Sequence, residues 1–218
     1  MPADTAQGAV AARRVLSALR RAIQDGDMAP GQRLVETELA ETYRVTRASV
    51  RAALIELASE GLVERVPNRG ARVRAVPLAE AIAMTECRMV LEGLCAAKAA
   101  EVVTDEQIGL LRMIGDQLTR AAGEAEPLRY AELDTELHRL VREISGQEVA
   151  TGLIARLRGP IIRRQFRLSP ASGRPKASVR ELLALIEAIS ARDPAAAELA
   201  ARKHVAGVVD ALRATAAG

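Results

Sequence analysis

The chain has 218 residues, with 31 Lys+Arg against 28 Asp+Glu and a formal net charge of +3. At 49% hydrophobic residues it carries enough apolar surface for a sizeable core, which excludes a disordered chain. Aromatic residues make up only 1%, with Trp absent, which excludes an aromatic platform for single strands or RNA and weighs against an all-β sandwich. No apolar run reaches membrane-span length, so no membrane partner is expected. The opening MPADTAQGAVAARRVL lacks the apolar core of a secretory signal. Cys87 and Cys95 fall on one helical pattern, where their rise separates them by about 12 Å. That exceeds the roughly 7 Å reach of a disulfide. Two reduced thiols suit a cytoplasmic protein.

In chain order, residues 8–24 place Val15, Leu16, Leu19 and Ile23 at helical spacing. Gly26, Pro30 and Gly31 stop that helix. A short helix follows in VETELAETY, with Leu39 and Ala40 inward, then a turn and a second helix over residues 47–60. Thr46 is its natural N-cap and Gly61 its natural stop. Beyond Gly61 the segments LVERV and ARVRAV alternate around PNRG, which is hairpin chemistry. Pro77 closes this first unit, 1–76. From Leu78 onward the pattern is helical over 78–101, 105–123, 127–145, 148–168, 177–191 and 195–214. The second unit, 77–218, is therefore expected to be an all-helical antiparallel bundle, and the fold class mainly α. A Ser/Pro/Gly-rich loop is expected at 169–178.

Three helices and a hairpin describe a winged helix-turn-helix. Residues 1–76 also hold 12 Arg against 9 acidic residues, while residues 77–218 balance at 19 of each. The excess charge thus lies where an anionic partner would bind. Arg47, Ser49, Val50 and Arg51 stand at the start of the second helix of the pair, the turn that enters a major groove in such proteins. Arg47 and Arg51, spaced i, i+4, share one face and reach guanine or phosphate. Thr46 and Ser49 are expected to hydrogen-bond phosphate. Arg69 at the hairpin tip is expected against the backbone or minor groove, with Gly70 permitting the turn.

The stretch GDMAPGQRLVETELAETYRVTRASVRAALIELASEGLVERVPNRG, from Gly26 to Gly70, resembles the DNA-binding domain of the GntR family of bacterial transcription factors. The second unit resembles the helical FCD domain of its FadR-type subfamily, with TECRMVLEGLCAAKAA (85–100) like the first FCD helix. One mild departure is Ala52, where the family usually has Glu. The resemblance implies a ligand-responsive homodimeric regulator, most often a repressor, bound to a palindromic operator in double-stranded DNA.

It also implies a metal site, for zinc or nickel, built from one Asp and three His. Asp134 and His138 match its D-x-x-x-H, and His204 in ARKHVAGVV matches the last His; these are the only two histidines in the chain. The middle His falls on Leu182, so one ligand is lost. Glu181 is expected not to replace it, since one helical step turns a side chain by about 100°. The three remaining groups either hold a metal or form a metal-free polar cluster. For a carboxylic acid effector the candidate anchors are Arg88, which the family commonly keeps, and Arg142, one turn beyond His138. Arg88 alternatively pairs with Glu92, i, i+4. The remaining alternatives are a DNA-binding dimer with a vestigial pocket and a metal-dependent hydrolase. Against the hydrolase, no H-E-x-x-H, G-x-S-x-G or phosphate-cradling glycine loop is present, so the chain is not expected to be an enzyme.

Overall fold

The computed structural model describes residues 2–66, 70–157 and 175–215. Two compact units are defined, Met1–Val76 and Pro77–Gly218.

In the first unit α1 (Pro2–Asp25) begins well before the expected start. It buries Val15, Leu19 and Ile23, one residue per turn, while Leu16 is only half-buried. Helix α2 (Glu36–Tyr43) anchors through Leu39. It closes at Arg44, whose backbone is left-handed (φ 52°, ψ 53°). The turn to α3 (Arg47–Ser59) is set by Thr46, whose side chain accepts the Ser49 N–H. At the other end Gly61 takes φ 64°. Its N–H and that of Leu62 return to the carbonyls of Ala58 and Leu57, which satisfies the last turn.

The expected two-stranded hairpin is a three-stranded sheet in the order β1-β3-β2. Strands β2 (Val63–Val66) and β3 (Gly70–Val73) pair antiparallel with Val63 opposite Val73 and Val66 opposite Gly70. The added strand, β1 (Arg33–Leu34), pairs with the other edge of β3, Leu34 opposite Ala71. A two-residue strand carries no alternation to read, so sequence pattern alone could not reveal it. Gly70 has φ 86°, and a Cβ there would stand 3.0 Å from the Leu34 carbonyl oxygen, so the crossing requires glycine. Arg69 lies outside the described residues.

The second unit consists, among the described residues, of α4 (Leu78–Val102), α5 (Asp105–Gly123), α6 (Pro127–Ser145), α7 (Glu148–Arg156), α8 (Pro175–Ser190) and α9 (Pro194–Ala214). The expected 148–168 helix ends at Arg156 in its described part, and α8 starts inside the expected 169–178 loop. The rest of both segments lies outside the described residues. Helix α4 packs along α9 and against α6; α5 packs on α6 and α8. Small residues on α4 (Ala96, Ala99, Ala100) let neighbours approach, while Leu111, Leu118, Leu133, Leu137, Leu185 and Ile189 fill the space between them, each at most 1% exposed. Leu182 lies in this core at 0% exposure. No helix among the described residues is long and apolar enough to cross a membrane.

Candidate functional site

Helix α3 sorts its side chains sharply. Val50, Ala53, Leu54 and Leu57 are buried against the first unit, whereas the Arg47 and Arg51 side chains are 63% and 56% exposed. Both arginines line a groove of about 660 Å³ whose other walls include Glu36 and Thr37 of α2 and Arg65, Val66 and Gly70 of the wing. Glu36 is the acid of this groove. Arg51 donates to it through Nε (3.1 Å) and Nη2 (2.8 Å), and Arg47 Nη2 stands 4.0 Å away. The hydrogen bond from Arg51 holds the Glu36 carboxyl below its ordinary range, and the positive charges of Arg51, Arg47 and Arg65 act in the same direction.

The two hydroxyls expected at phosphate both make contacts inside the protein. Ser49 is buried, and its hydroxyl donates to the Gly8 carbonyl oxygen of α1 at 3.3 Å. Thr46 and Ser49 share a hydroxyl contact of 3.0 Å. Thr46 also accepts the Ser49 N–H. Thr46 and Ser49 fix where α3 begins.

In the second unit Asp134, His138 and His204 are all buried, and one ligand-type atom from each lies within 4.8 Å of the others. Asp134 and His138 are one turn apart on α6, and His204 enters from α9. Asp134 Oδ1 stands 3.7 Å from His138 Nε2 and 3.5 Å from His204 Nε2. Two donors about 2.1 Å from one tetrahedral ion would be ~3.4 Å apart, so the separations suit a shared cation. The buried His138 Nε2 makes no hydrogen bond among the described residues, which fits a metal ligand better than a closed polar cluster. Glu181 is not in the ligand set, but its Oε2 is 3.3 Å from His204 Nδ1, on the far side of the ring.

The expected effector anchors meet a carboxylate of the protein. Arg142 Nη1 donates to both Glu92 oxygens, at 3.1 and 3.4 Å, and Arg88 Nη2 is 3.7 Å from Glu92. His138 Nδ1 is 3.7 Å from the same group. Burial pushes the Glu92 carboxyl up, but His138, Arg142 and Arg88 together outweigh it and hold it down at about 2. Glu92 was visible in the sequence only as a partner for Arg88. The signal available was its position as the sole charge in the run from Met89 to Ala97.

A winged helix-turn-helix joined to a helical unit with a buried ligand-type cluster defines the class of two-part transcription regulators. Residues 11–73 match the model described as bacterial regulatory proteins, gntR family, and residues 83–207 match the FCD domain. The chain belongs to the GntR family, in the group that carries an FCD domain. It is 29% identical over 195 residues to the HTH-type transcriptional repressor RspR of Escherichia coli (strain K12), covering 89% of this chain and 86% of that one. It is 27% identical over 213 residues to the HTH-type transcriptional repressor NanR of Enterobacter sp. (strain 638), covering 87% and 80%. The solved structure of E. coli McbR/YncC superposes with a TM-score of 0.77 at 19% identity, over 93% of this chain and 97% of that one, which reports on the fold. The family and these relatives are transcriptional regulators, not enzymes, which sets the hydrolase alternative aside.

Proposed function

We propose that this chain is a cytoplasmic homodimeric repressor that reads a palindromic operator through Arg47 and Arg51 of α3, with Arg69 at the wing, and responds to a small carboxylic acid bound in the helical unit. The observation that carries the DNA reading is the exposed arginine pair at the start of α3, opening onto a groove beside the wing. One such helix contacts too few base pairs for specificity, so two copies related by a two-fold are needed. Binding requires Arg51 to exchange its Glu36 partner for a base edge or phosphate. The pair is exposed, and such pairs are weak enough to exchange.

In the helical unit Asp134, His138 and His204 would hold a zinc or nickel ion. When bound, the ion supplies a Lewis-acidic positive charge for an effector carboxylate. Arg88 and Arg142 supply the second positive region, at present neutralised by Glu92. That neutralisation favours a second reading, a DNA-binding dimer whose pocket takes no effector. A thermal-shift screen of carboxylic acids separates the two: stabilisation by one compound class supports the effector reading.

The DNA reading is tested by selecting a binding sequence from random duplexes and titrating it by fluorescence anisotropy. Replacing a base-reading arginine with Ala should cost about 1–3 kcal/mol at the selected site. Unchanged affinity in a folded, dimeric Arg47→Ala/Arg51→Ala variant would overturn it.

A further inference from the structure

We infer that Glu181 is a positioning residue that lets this chain hold a divalent metal on three protein ligands. The inference rests on the reading of Asp134, His138 and His204 as a metal site. It concerns this chain's own departure from the four-ligand pattern, Leu182 in place of a histidine.

The argument begins with the imidazole of His204. A neutral histidine carries one N–H and one lone pair, and the acceptor beside the ring decides which nitrogen has the proton. Glu181 Oε2 stands 3.3 Å from Nδ1, so the proton sits there. The Nε2 lone pair then points toward Asp134 Oδ1, 3.5 Å away. A lone pair facing a carboxylate repels it unless a cation lies between them. His138 repeats the arrangement: Nδ1 faces the Glu92 carboxylate at 3.7 Å, and Nε2 faces Asp134 at 3.7 Å. Each histidine therefore has a glutamate behind it and Asp134 in front. A carboxylate behind a ligating imidazole fixes the ring and raises its basicity.

Helix α8 explains why the acid is at 181. Leu182 faces the core at 0% exposure and offers no donor. The preceding side chain, turned by about 100°, misses the ion position but reaches the outer edge of the His204 ring. Glu181 remains 18% exposed, so replacing it opens no cavity in the core.

The test uses full-length protein stripped of metal and titrated with zinc alone by calorimetry, then with cobalt(II) alone followed by its visible absorption. Wild type should bind one equivalent. Asp134→Asn, which removes a ligand, should abolish tight binding. Glu181→Ala should bind one equivalent still, 10–100-fold more weakly, with the cobalt band shape kept. Glu181→Gln, which restores an acceptor without charge, should recover part of the loss, and circular dichroism confirms that each variant is folded. If Asp134→Asn loses zinc while Glu181→Ala binds like wild type, Glu181 has no part in the site and this inference fails while the metal reading stands. A changed cobalt spectrum with lost stoichiometry in Glu181→Ala would make it a ligand, also against the inference. Absence of binding by wild type removes the metal reading itself, and this one with it.

Discussion

The two units handle charge in opposite ways. In the first, the Arg51–Glu36 pair lies at the surface, where the arginine side chain is 56% exposed. In the second, Arg88 and Glu92 are 8% and 2% exposed and sit among histidines and a further arginine. Water screens the first pair, so it contributes little and is easily exchanged for another anion. The second cluster is desolvated, so removing either sign strands the other. The difference teaches that readiness to bind an external ion depends on how much solvent a charged pair keeps. The surface arginines are poised for exchange, whereas the buried ones yield only to a ligand that restores their charge balance.

The largest effect that would break this contrast is at Glu92. Glu92→Ala should destabilise the helical unit by about 3–5 kcal/mol, read by urea unfolding, because it removes the anion between Arg88 and Arg142. An effect as small as that of a surface pair would place the cluster in the same class as the Glu36 pair. Acidification approaches the same loss gradually. The carboxyl titrates at about 2 in the fold, below its ordinary value, so its contribution is full above the ordinary value. It should be lost as pH falls from about 5 towards 2, by up to about 3 kcal/mol. Glu92→Gln should flatten that acid limb of the stability curve. An unchanged slope would show that Glu92 does not carry the buried charge.

Leu182→His sharpens the comparison from the metal side. It replaces a fully buried hydrocarbon with a polar ring, so the metal-free protein should lose about 2–4 kcal/mol in thermal or urea unfolding. Zinc or nickel affinity should rise at least about tenfold, since a ligand joins an existing set. Tight stoichiometric metal in wild type with no gain in the variant would mean that another residue already completes the sphere.

The caps at Thr46 and Gly61, the bounds of α4, α5 and α6 to within a residue and the Asp134–His138 pair were legible in the sequence because each depends on spacing within one helix, whereas the start of α1 and the ends around α7 and α8 were not. The partners that decide the chemistry come from other elements. Glu36 meets Arg51 from α2, Glu92 meets Arg142 from α4, and Glu181 meets His204 from α8. A helical step gives the direction of Glu181 but not what stands there, so spacing alone removes it from the ligand set without revealing the His204 ring it meets. Ser49 likewise meets its partner from another element. Its position at the start of α3 suits a phosphate, and only the arrival of α1 shows where its proton goes.

The smallest expected effect is at Glu36. Glu36→Ala should change unfolding free energy by less than about 1 kcal/mol. It should nevertheless steepen the salt dependence of non-specific DNA binding, because Arg47 and Arg51 would then meet phosphates without an internal competitor. A flat or unchanged slope in anisotropy titrations would mean that the pair does not compete with DNA.

The left-handed backbone at Arg44 bears on any attempt to engineer this regulator. An L-residue with a side chain held at φ 52° gives up about 1–2 kcal/mol relative to glycine. A stability-driven redesign would therefore mutate this position among the first. It would harden the helix-turn-helix and at the same stroke delete an exposed cation from the turn that leads into α3. Thermal margin and surface charge beside the recognition helix are thus coupled through a single codon, and a redesign that must keep that charge should seek its thermal margin elsewhere.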